Sequence, residues 1–147
     1  MRRTLRQRTE RKHLMAAEPD VLEELRRLRA RVVDVTGALA ATSDGLVLAH
    51  DTATVEPEGV AALTAAALGV SQSLADATSR GAFRELLVRG EDGYVATYAA
   101  GPAAVLTVLA GRRTNVGRLH MEARRSGARI ADLVGGSSHG PSTTRRP

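Results

Sequence analysis

The chain has 147 residues and 43% of them are hydrophobic, which is enough for one domain with a buried core. It has no cysteine, so disulfides and thiolate metal sites are excluded, and a reducing, cytoplasmic location is the plain expectation. The net charge of +5 belongs to the ends, because residues 1–18 carry six cations and two anions, residues 135–147 carry two cations, and residues 19–134 sum to −1.

The first 18 residues are basic and show little hydrophobic periodicity, which predicts a disordered arm. Two alternatives stand beside that prediction: Met15 as the true start of the protein, and an arm that touches anionic lipid or nucleic acid. No apolar segment of the signal-peptide type follows the cations. The uncharged run at 59–75 is short and diluted by polar residues, so no membrane span is expected.

A first helix is predicted over residues 19–33. Pro19 suits the first helical position, and the acidic residues just after it favour the positive end of the helix dipole. The arginines of this helix are interpreted as a solvated face. One apolar stripe at helical spacing is formed by Val21, Leu25, Leu28 and Val32.

Residues 35–51, VTGALAATSDGLVLAHD, predict two short strands joined at Asp44 and Gly45. An Asp-Gly pair between apolar runs favours a type I′ turn, in which both central residues have positive φ. Both faces of this hairpin are apolar, so it is expected in the middle of a sheet with helices on both sides. The predicted register pairs Ser43 with Leu46, Ala41 with Leu48, Leu39 with His50, Thr42 with Val47, and Ala40 with Ala49.

Pro57 opens a predicted second helix that runs to about residue 79 and is apolar nearly all round. Because one sheet face buries only one side of such a helix, the other side needs a second cover. In so small a chain the simplest cover is another copy of the same helix, and a terminal helix of the same chain is the alternative. The seam is formed by Val60, Leu63, Ala67, Val70, Leu74 and Ala77.

Three further strands are predicted over residues 82–89, 94–100 and 103–110. The first carries charges and is expected to be an edge or half-exposed strand. The last is apolar on both faces and is expected, with the hairpin, at the centre. Short turns between these strands imply antiparallel neighbours, so the predicted class is α+β in three layers.

A third helix is predicted from a cap at Thr114 or Asn115 to about residue 134. Its inner face is expected to carry Val116, Leu119, Ala123, Ile130 and Val134. Residues 135–147 are rich in Gly, Ser, Thr and Pro, which predicts a disordered tail.

The sequence offers no convincing catalytic, nucleotide or metal site. The four histidines lack ligand-spaced partners, and HExxH, EF-hand, P-loop and GxGxxG patterns are all absent. Ser43, Asp44 and His50 invite a hydrolase interpretation, but the predicted register keeps Ser43 from His50. We therefore expect neither enzymatic activity nor a cofactor.

Arginines gather around the third helix. They are interpreted as a solvated face, with a surface for an acidic partner and a nucleic-acid surface as alternatives. Single-strand binding would need stacking aromatics, and none lie nearby, so no specific nucleic-acid partner is expected. These residues are Arg112, Arg113, Arg118, Arg124, Arg125 and Arg129.

ALAATSDGLVLAHD at 38–51 resembles the strand, S-[DN]-G, strand hairpin of roadblock-type proteins, the family of roadblock dynein light chains and bacterial MglB-like regulators. The segments AALTAAALGVSQSLA at 61–75 and TVLAGRRTNVGRLHMEARR at 107–125 fit the same family. The resemblance covers about 20–134 and identifies residues 19–134 as a roadblock-like domain. It implies a five-stranded antiparallel sheet with the second helix on one face and the first and third on the other.

The resemblance also implies homodimers that pair through the second helix and the third strand, with partners that include a small Ras-like GTPase and often a sensor kinase-like protein. The expected function is a non-enzymatic regulator that activates or localises such a GTPase in bacterial signal transduction. A scaffold joining a sensor kinase-like protein to other partners and a small-ligand sensor are the alternatives. The expected dimer interface comprises Leu63, Ala66, Ala67, Val70, Leu74, Phe83 and Leu87.

Overall fold

The computed structural model describes residues 2–135, and the predicted tail falls almost entirely outside that range. The order of the elements is as the sequence predicts. In chain order they are α1 (Arg2–Arg31), β1 (Val35–Thr42), β2 (Val47–Asp51), α2 (Pro57–Ala77), β3 (Glu85–Gly90), β4 (Gly93–Ala100), β5 (Ala104–Gly111) and α3 (Val116–Val134).

The five strands form one sheet in the order β2-β1-β5-β4-β3, with every neighbouring pair antiparallel. Helices α1 and α3 pack side by side on one face, and α2 lies on the other, over β1 and β2. The predicted three-layer α+β fold is therefore confirmed. So are the central place of β5 and the edge place of β3.

The prediction that the whole first hairpin lies in the middle of the sheet is wrong, because β2 is an edge strand. Its two apolar faces are explained by helices rather than by neighbouring strands, since α1 and α2 both contact β2. Ala49 is buried among side chains of the α1 side, and Val47 packs in the smaller cluster under α2. Burial of both faces thus does not require a central position.

The main core lies between the sheet and the pair α1 and α3. The predicted stripe of α1 is confirmed, because Val21, Leu25 and Leu28 are fully buried. Leu119 and Ile130 of α3 meet them over a sheet surface made largely of alanine. Small strand residues let both helices approach the sheet closely, and each buried large side chain contributes roughly 1.5–3 kcal/mol to stability.

Helix α1 begins at Arg2, so the prediction of a disordered arm over residues 1–18 is wrong for the described part of it. No glycine or proline interrupts the chain before Pro19, and Arg6 pairs with Glu10 one turn on, at 3.5 Å between Nε and Oε1. Pro19 lies inside the helix rather than at its start. A solvent-exposed helix shows no apolar stripe, which is why periodicity missed this segment.

The turn of the first hairpin differs from the predicted type. Gly45 has a positive φ of 95°, but Asp44 does not, so the loop is not type I′. The N–H of Gly45 donates to the carbonyl of Thr42 at 3.0 Å, and the N–H of Thr42 donates to the carbonyl of Leu46 at 2.8 Å. Three residues rather than two therefore lie between the closing pair.

The longer loop shifts the register by one residue, and a bulge at Leu48 shifts it back. The ladder pairs Ala41 with Val47, Ala40 with Ala49, and Leu39 with His50. The last two of these pairs were predicted, and the pairing of Ala41 with Leu48 was not observed. The bulge restores the alternation that keeps the apolar faces inward.

Helix α3 follows the sequence prediction closely. The Asn115 side chain accepts a hydrogen bond from the N–H of Arg118 at 2.9 Å, which confirms it as the cap. Gly127, which weakens the middle of a helix, lies against β4, where an added Cβ would stand 3.2 Å from the carbonyl oxygen of Ala99. Close approach of α3 to the sheet accounts for the glycine.

Candidate interaction surface

Helix α2 has one face on the sheet and one face in solvent. Ala61 and Thr64 are its buried residues. On the opposite side, Leu63, Val70 and Leu74 are 73%, 70% and 64% exposed. Contiguous exposed apolar side chains of this kind are typical of surfaces at which proteins bind other molecules, so this stripe is the candidate interaction surface.

The spacing of these three residues in the sequence is enough to predict that they lie on one face of the helix. Leu63, Val70 and Leu74 are seven and four residues apart, which puts them on one helix face. Of the alanines between them, Ala66 is exposed and Ala67 is half-buried. These small side chains leave room for a second helix to approach closely.

Three threonine hydroxyls hold the other side of α2 to the sheet. The Thr64 hydroxyl lies 3.3 Å from that of Thr107 on β5, which lies 3.4 Å from that of Thr97 on β4. All three side chains are buried. They satisfy one another in an apolar layer, where an unpaired hydroxyl would be costly, and so fix which face of α2 points outward.

By length and composition alone, α2 is the helix in the described chain that could cross a membrane. A helix that crossed a membrane alone would have no sheet beside it for its polar side chains to bond. In α2, Gln72 accepts a hydrogen bond from the N–H of Phe83 at 2.9 Å, and Thr64 faces Thr107. These contacts support a helix that lies on the sheet.

Strand β3 extends the exposed surface to the edge of the sheet. It pairs with β4 and has no strand on its other side within the described residues. Leu87 is 37% and Val88 is 51% exposed. An open edge with apolar side chains is a template for pairing with another strand.

The structure brings the predicted interface residues onto one side of the molecule only in part. Leu63, Ala66, Val70, Leu74 and Leu87 are exposed, whereas Ala67 and Phe83 are half-buried. Phe83 precedes β3, and its N–H is held by the Gln72 side chain of α2 at 2.9 Å.

Val88 is the residue that the sequence interpretation missed. It pairs with Val95, two places from the pair formed by Leu86 and Thr97, so its side chain projects to the α2 face. Leu87 projects to the α3 face. Strand alternation is the sequence signal for this difference, because neighbouring residues of a strand face opposite sides of the sheet.

A cleft of about 1040 Å³ lies beside α2, between that helix, the connection to β3 and the ends of β4 and β5. Small residues leave this space open, because Gly69, Ala99 and Gly101 line it where larger side chains would fill it. It adjoins the exposed apolar face. Its walls also include Leu68, Gln72, Phe83, Val105 and Arg124.

Four polar side chains anchor the start of β3 to α3. Arg124 donates from Nε and Nη2 to Glu85 Oε1 at 3.1 and 2.6 Å. Nδ1 of His120 lies 3.1 Å from Glu85 Oε2 and 2.6 Å from the Tyr98 hydroxyl. Burial, and then the charge of Glu85, raise the pKa of Tyr98 well above its usual range, so its hydroxyl stays protonated.

A second polar network joins α1 to α3. Glu24 and Glu122 are buried, and Arg31 contacts both, at 3.1 Å to Glu24 and 2.9 Å to Glu122. The Ser126 hydroxyl donates to Glu24 at 2.8 Å. Arg31 is thus not part of a solvated face, and neither is Arg29, which pairs with Asp51 at 3.0 Å.

The arginines around α3 are partly used within the chain. Arg124 pairs with Glu85, Arg129 lies 3.3 Å from Glu24, and Arg118 donates to the carbonyl of Arg31 at 3.1 Å. These contacts join α3 to α1 and β3. Three of the six predicted arginines therefore have structural contacts.

The hydrolase interpretation gains nothing from the structure. Ser43 lies in the hairpin loop and His50 faces Leu39, which puts about 13 Å of strand between them. Across residues 2–135, no three acidic or histidine side chains gather where they could hold a metal ion.

Comparison with known proteins agrees with this geometry. Residues 21–110 match the family profile described as Roadblock/LC7 domain. Among solved structures, the fold matches an MglB with tetrameric arrangement at a TM-score of 0.75, with 23% identity over 82% of this chain and 91% of that chain. No curated protein sequence gives a significant match.

Two further structures match the same fold. Gliding protein MglB from Thermus thermophilus has a TM-score of 0.68 and 24% identity, over 83% of this chain and 91% of that chain. A Roadblock/LC7 domain from Streptomyces avermitilis has a TM-score of 0.69 and 24% identity, over 74% of this chain and 92% of that chain. At such identities these matches establish the fold.

Proposed function

This chain belongs to the Roadblock/LC7 family, and on that premise we propose that it is a non-enzymatic homodimeric regulator of a small Ras-like GTPase in bacterial signalling. The observation that carries the proposal is the exposed stripe of Leu63, Val70 and Leu74 on α2. The likeness in fold to MglB proteins supports it.

In the proposed dimer, the α2 stripes of two copies cover each other and the two β3 edges lie side by side. Six large apolar side chains leave water, which is worth on the order of 10 kcal/mol before the cost of association is subtracted. The small alanines of the stripe allow close helix contact. A dimer of this kind presents a two-fold surface on which a GTPase is bound.

In the proposed mechanism, this protein arranges catalytic groups that the GTPase itself supplies. In the described chain the polar clusters hold helices and strands together, and Ser43 and His50 are far apart. The proposal therefore assigns hydrolysis to the partner. It leaves positioning, or localisation, of the partner to this protein.

The test is single-turnover GTP hydrolysis by Ras-like GTPases from the same genome, each loaded with GTP and timed with and without this protein. We expect acceleration of at least about tenfold, or a shift in nucleotide affinity, for one of them. Leu63→Asp is the matched control, since it removes the proposed dimer and leaves the rest of the surface intact.

A scaffold is the outcome if a GTPase or a sensor kinase-like protein binds and neither the rate nor the nucleotide affinity changes. That result would contradict the proposed regulation of hydrolysis. Absence of binding to any Ras-like GTPase would contradict the proposal altogether.

A small-ligand sensor is the second candidate function, and the cleft of about 1040 Å³ is the observation that favours it. Its test is mass spectrometry of small molecules released when the purified protein is denatured. A stoichiometric compound would support this function. Substituting Gly69 or Ala99 with leucine would then abolish retention of that compound by filling the cleft.

A further inference from the structure

The first helix carries its charges in separate blocks. Along residues 4–12, the cations Arg6, Arg8, Arg11 and Lys12 face a single anion, Glu10. Along residues 18–23, three exposed anions follow with no Lys or Arg among them: Glu18, Asp20 and Glu23. A basic block is therefore succeeded, within one continuous helix, by an acidic one.

Nothing in the described chain covers the outer face of this helix. Leu25 points into the core and is fully buried. Ala16, nine residues earlier, lies about 180° round the helix from it and is exposed. Lys12 and Asp20, one turn on either side of Ala16, are exposed as well, and neither forms an ion pair with any described residue.

We propose that the outer face of α1 binds the same face of a second copy, antiparallel, about a two-fold axis at Ala16. Lys12 and Asp20 are each four residues, about 6 Å, from that axis, so each cation lies beside the partner's anion. Arg8 and Glu23 lie about 12 and about 10 Å from the axis and extend the match, with Glu23 also 3.5 Å from Arg27 of its own helix. Ala16 itself lets the two helices cross closely.

The two-fold geometry doubles each favourable contact. In an antiparallel pair, residue Lys12 of each copy meets Asp20 of the other, and the basic block as a whole faces the acidic block. The bodies of the two copies do not collide, because the core stripe holds each body on the side of α1 that faces away from the contact. The contact is polar, so it is weak and sensitive to salt.

A second copy fits these features better than a membrane or a nucleic acid. A helix that lies on a bilayer needs a continuous apolar face, and among residues 4–13 Leu5 is the sole large apolar side chain. A polyanion would match the basic block and would be repelled by the acidic block beside it. Another copy of α1 satisfies both blocks at once.

The test is sedimentation velocity of the full chain at about 50 mM and about 500 mM NaCl, in wild type and in four variants. Lys12→Asp and Asp20→Lys each place like charges together, and the double variant K12D/D20K restores the match with reversed sign. Arg11→Asp is the control, since it makes the same charge change about 100° round the helix from Lys12.

We expect wild type to at least double its mass at low salt, since each α2 dimer carries two α1 faces, and to lose that association at high salt. Each single swap weakens it by about tenfold or more, and the double variant and the Arg11→Asp control return to within about threefold of wild type. Repeating the series in Leu63→Asp separates this contact from the α2 interface. The doubling is expected there too, from a smaller starting mass.

Three results would overturn the proposal. They are a mass that salt does not change, single swaps without effect, and a double variant that fails to recover. Circular dichroism confirms that each variant keeps its helix. Binding of wild type to anionic phosphatidylserine vesicles or to duplex DNA, with no self-association at low salt, would assign the basic block to those partners instead.

Discussion

Tyr98 shows how one side chain joins three elements. Its ring is 2% exposed under α3, and its hydroxyl meets His120, which in turn faces Glu85 at the start of β3. The ring meets that of His120 edge-on, with centroids 5.7 Å apart. The edge strand proposed for dimer contact is thereby tied to α3.

The raised pKa of Tyr98 predicts a loss of stability in alkali. The folded chain holds the phenol proton while the unfolded chain releases it near pH 10, so the stabilisation is present below that pH and is lost as pH rises. We expect the free energy of unfolding to fall by up to about 1.4 kcal/mol per pH unit above about pH 10.

Urea unfolding at intervals between about pH 8 and about pH 11 measures this dependence. Tyr98→Phe is expected to remove the alkaline decline, at a cost of about 1 kcal/mol at neutral pH for the lost hydrogen bond. Tyr94→Phe is the control and keeps the decline. An unchanged slope in Tyr98→Phe would show that another group is responsible.

At the scale of elements, helix α2 has two unlike faces, one packed on the sheet and one exposed to solvent. Its sheet side carries Ala61 and Thr64, both buried, and its outer side carries the exposed stripe. A charge on the first side disrupts the fold, whereas a charge on the second disrupts only what covers it. This difference makes the proposed dimer testable without unfolding the chain.

Leu63→Asp and Val70→Asp are expected to give folded monomers. Both side chains are at least 70% exposed in the single chain, so a carboxylate there costs nothing until a second copy buries it. We expect the dissociation constant to rise about a hundredfold or more, measured by sedimentation equilibrium.

Ala62→Asp provides the control for that experiment, because Ala62 is exposed beside the stripe rather than in it. It should keep the dimer mass. Ala61→Asp, one residue earlier and 1% exposed, should destabilise the chain itself. A dimer that survives both Leu63→Asp and Val70→Asp would place the interface elsewhere.

Sequence pattern predicted most elements because most have one buried face. The α1 stripe, the central β5 and the Asn115 cap follow from spacing and local chemistry. The failures have physical causes as well. Residues 2–18 form helix although, among residues 4–18, Ala17 alone is buried, and β2 has both faces covered by helices although it lies at an edge.

The site was partly predictable for the same reason. The α2 stripe is a periodic signal, so the sequence placed Leu63, Val70 and Leu74 on one helix face, and the structure shows all three exposed. Which of Leu87 and Val88 faces α2 depends on the register of β3 against β4, and the sequence alone does not give that register. The polar contacts of Arg31 and Arg124 join residues far apart in sequence, so no local sequence pattern predicts them.

At the scale of the molecule, the sheet has unequal covers. Helices α1 and α3 close one face, with two polar networks holding them together and to β3. The other face has α2 alone, which leaves the cleft and part of β3 and β4 open. The proposed α2 dimer and the proposed α1 contact lie on different sides, so the two associations are independent.

That independence predicts the effect of removing the start of the chain. Residues 4–13 are all exposed and Leu14 is the first to contact the core, so a chain beginning at Leu14 loses no buried apolar area. We expect its melting temperature to stay within about 4 °C of wild type, which corresponds to less than about 1 kcal/mol. The α2 dimer is expected to persist, whereas the salt-sensitive association disappears with Arg8 and Lys12.

Thermal unfolding and sedimentation velocity of the shortened chain at low salt check the three outcomes together. A fall in melting temperature of about 10 °C or more would mean that the start of α1 supports the fold itself, and loss of the dimer would mean that the two surfaces are coupled.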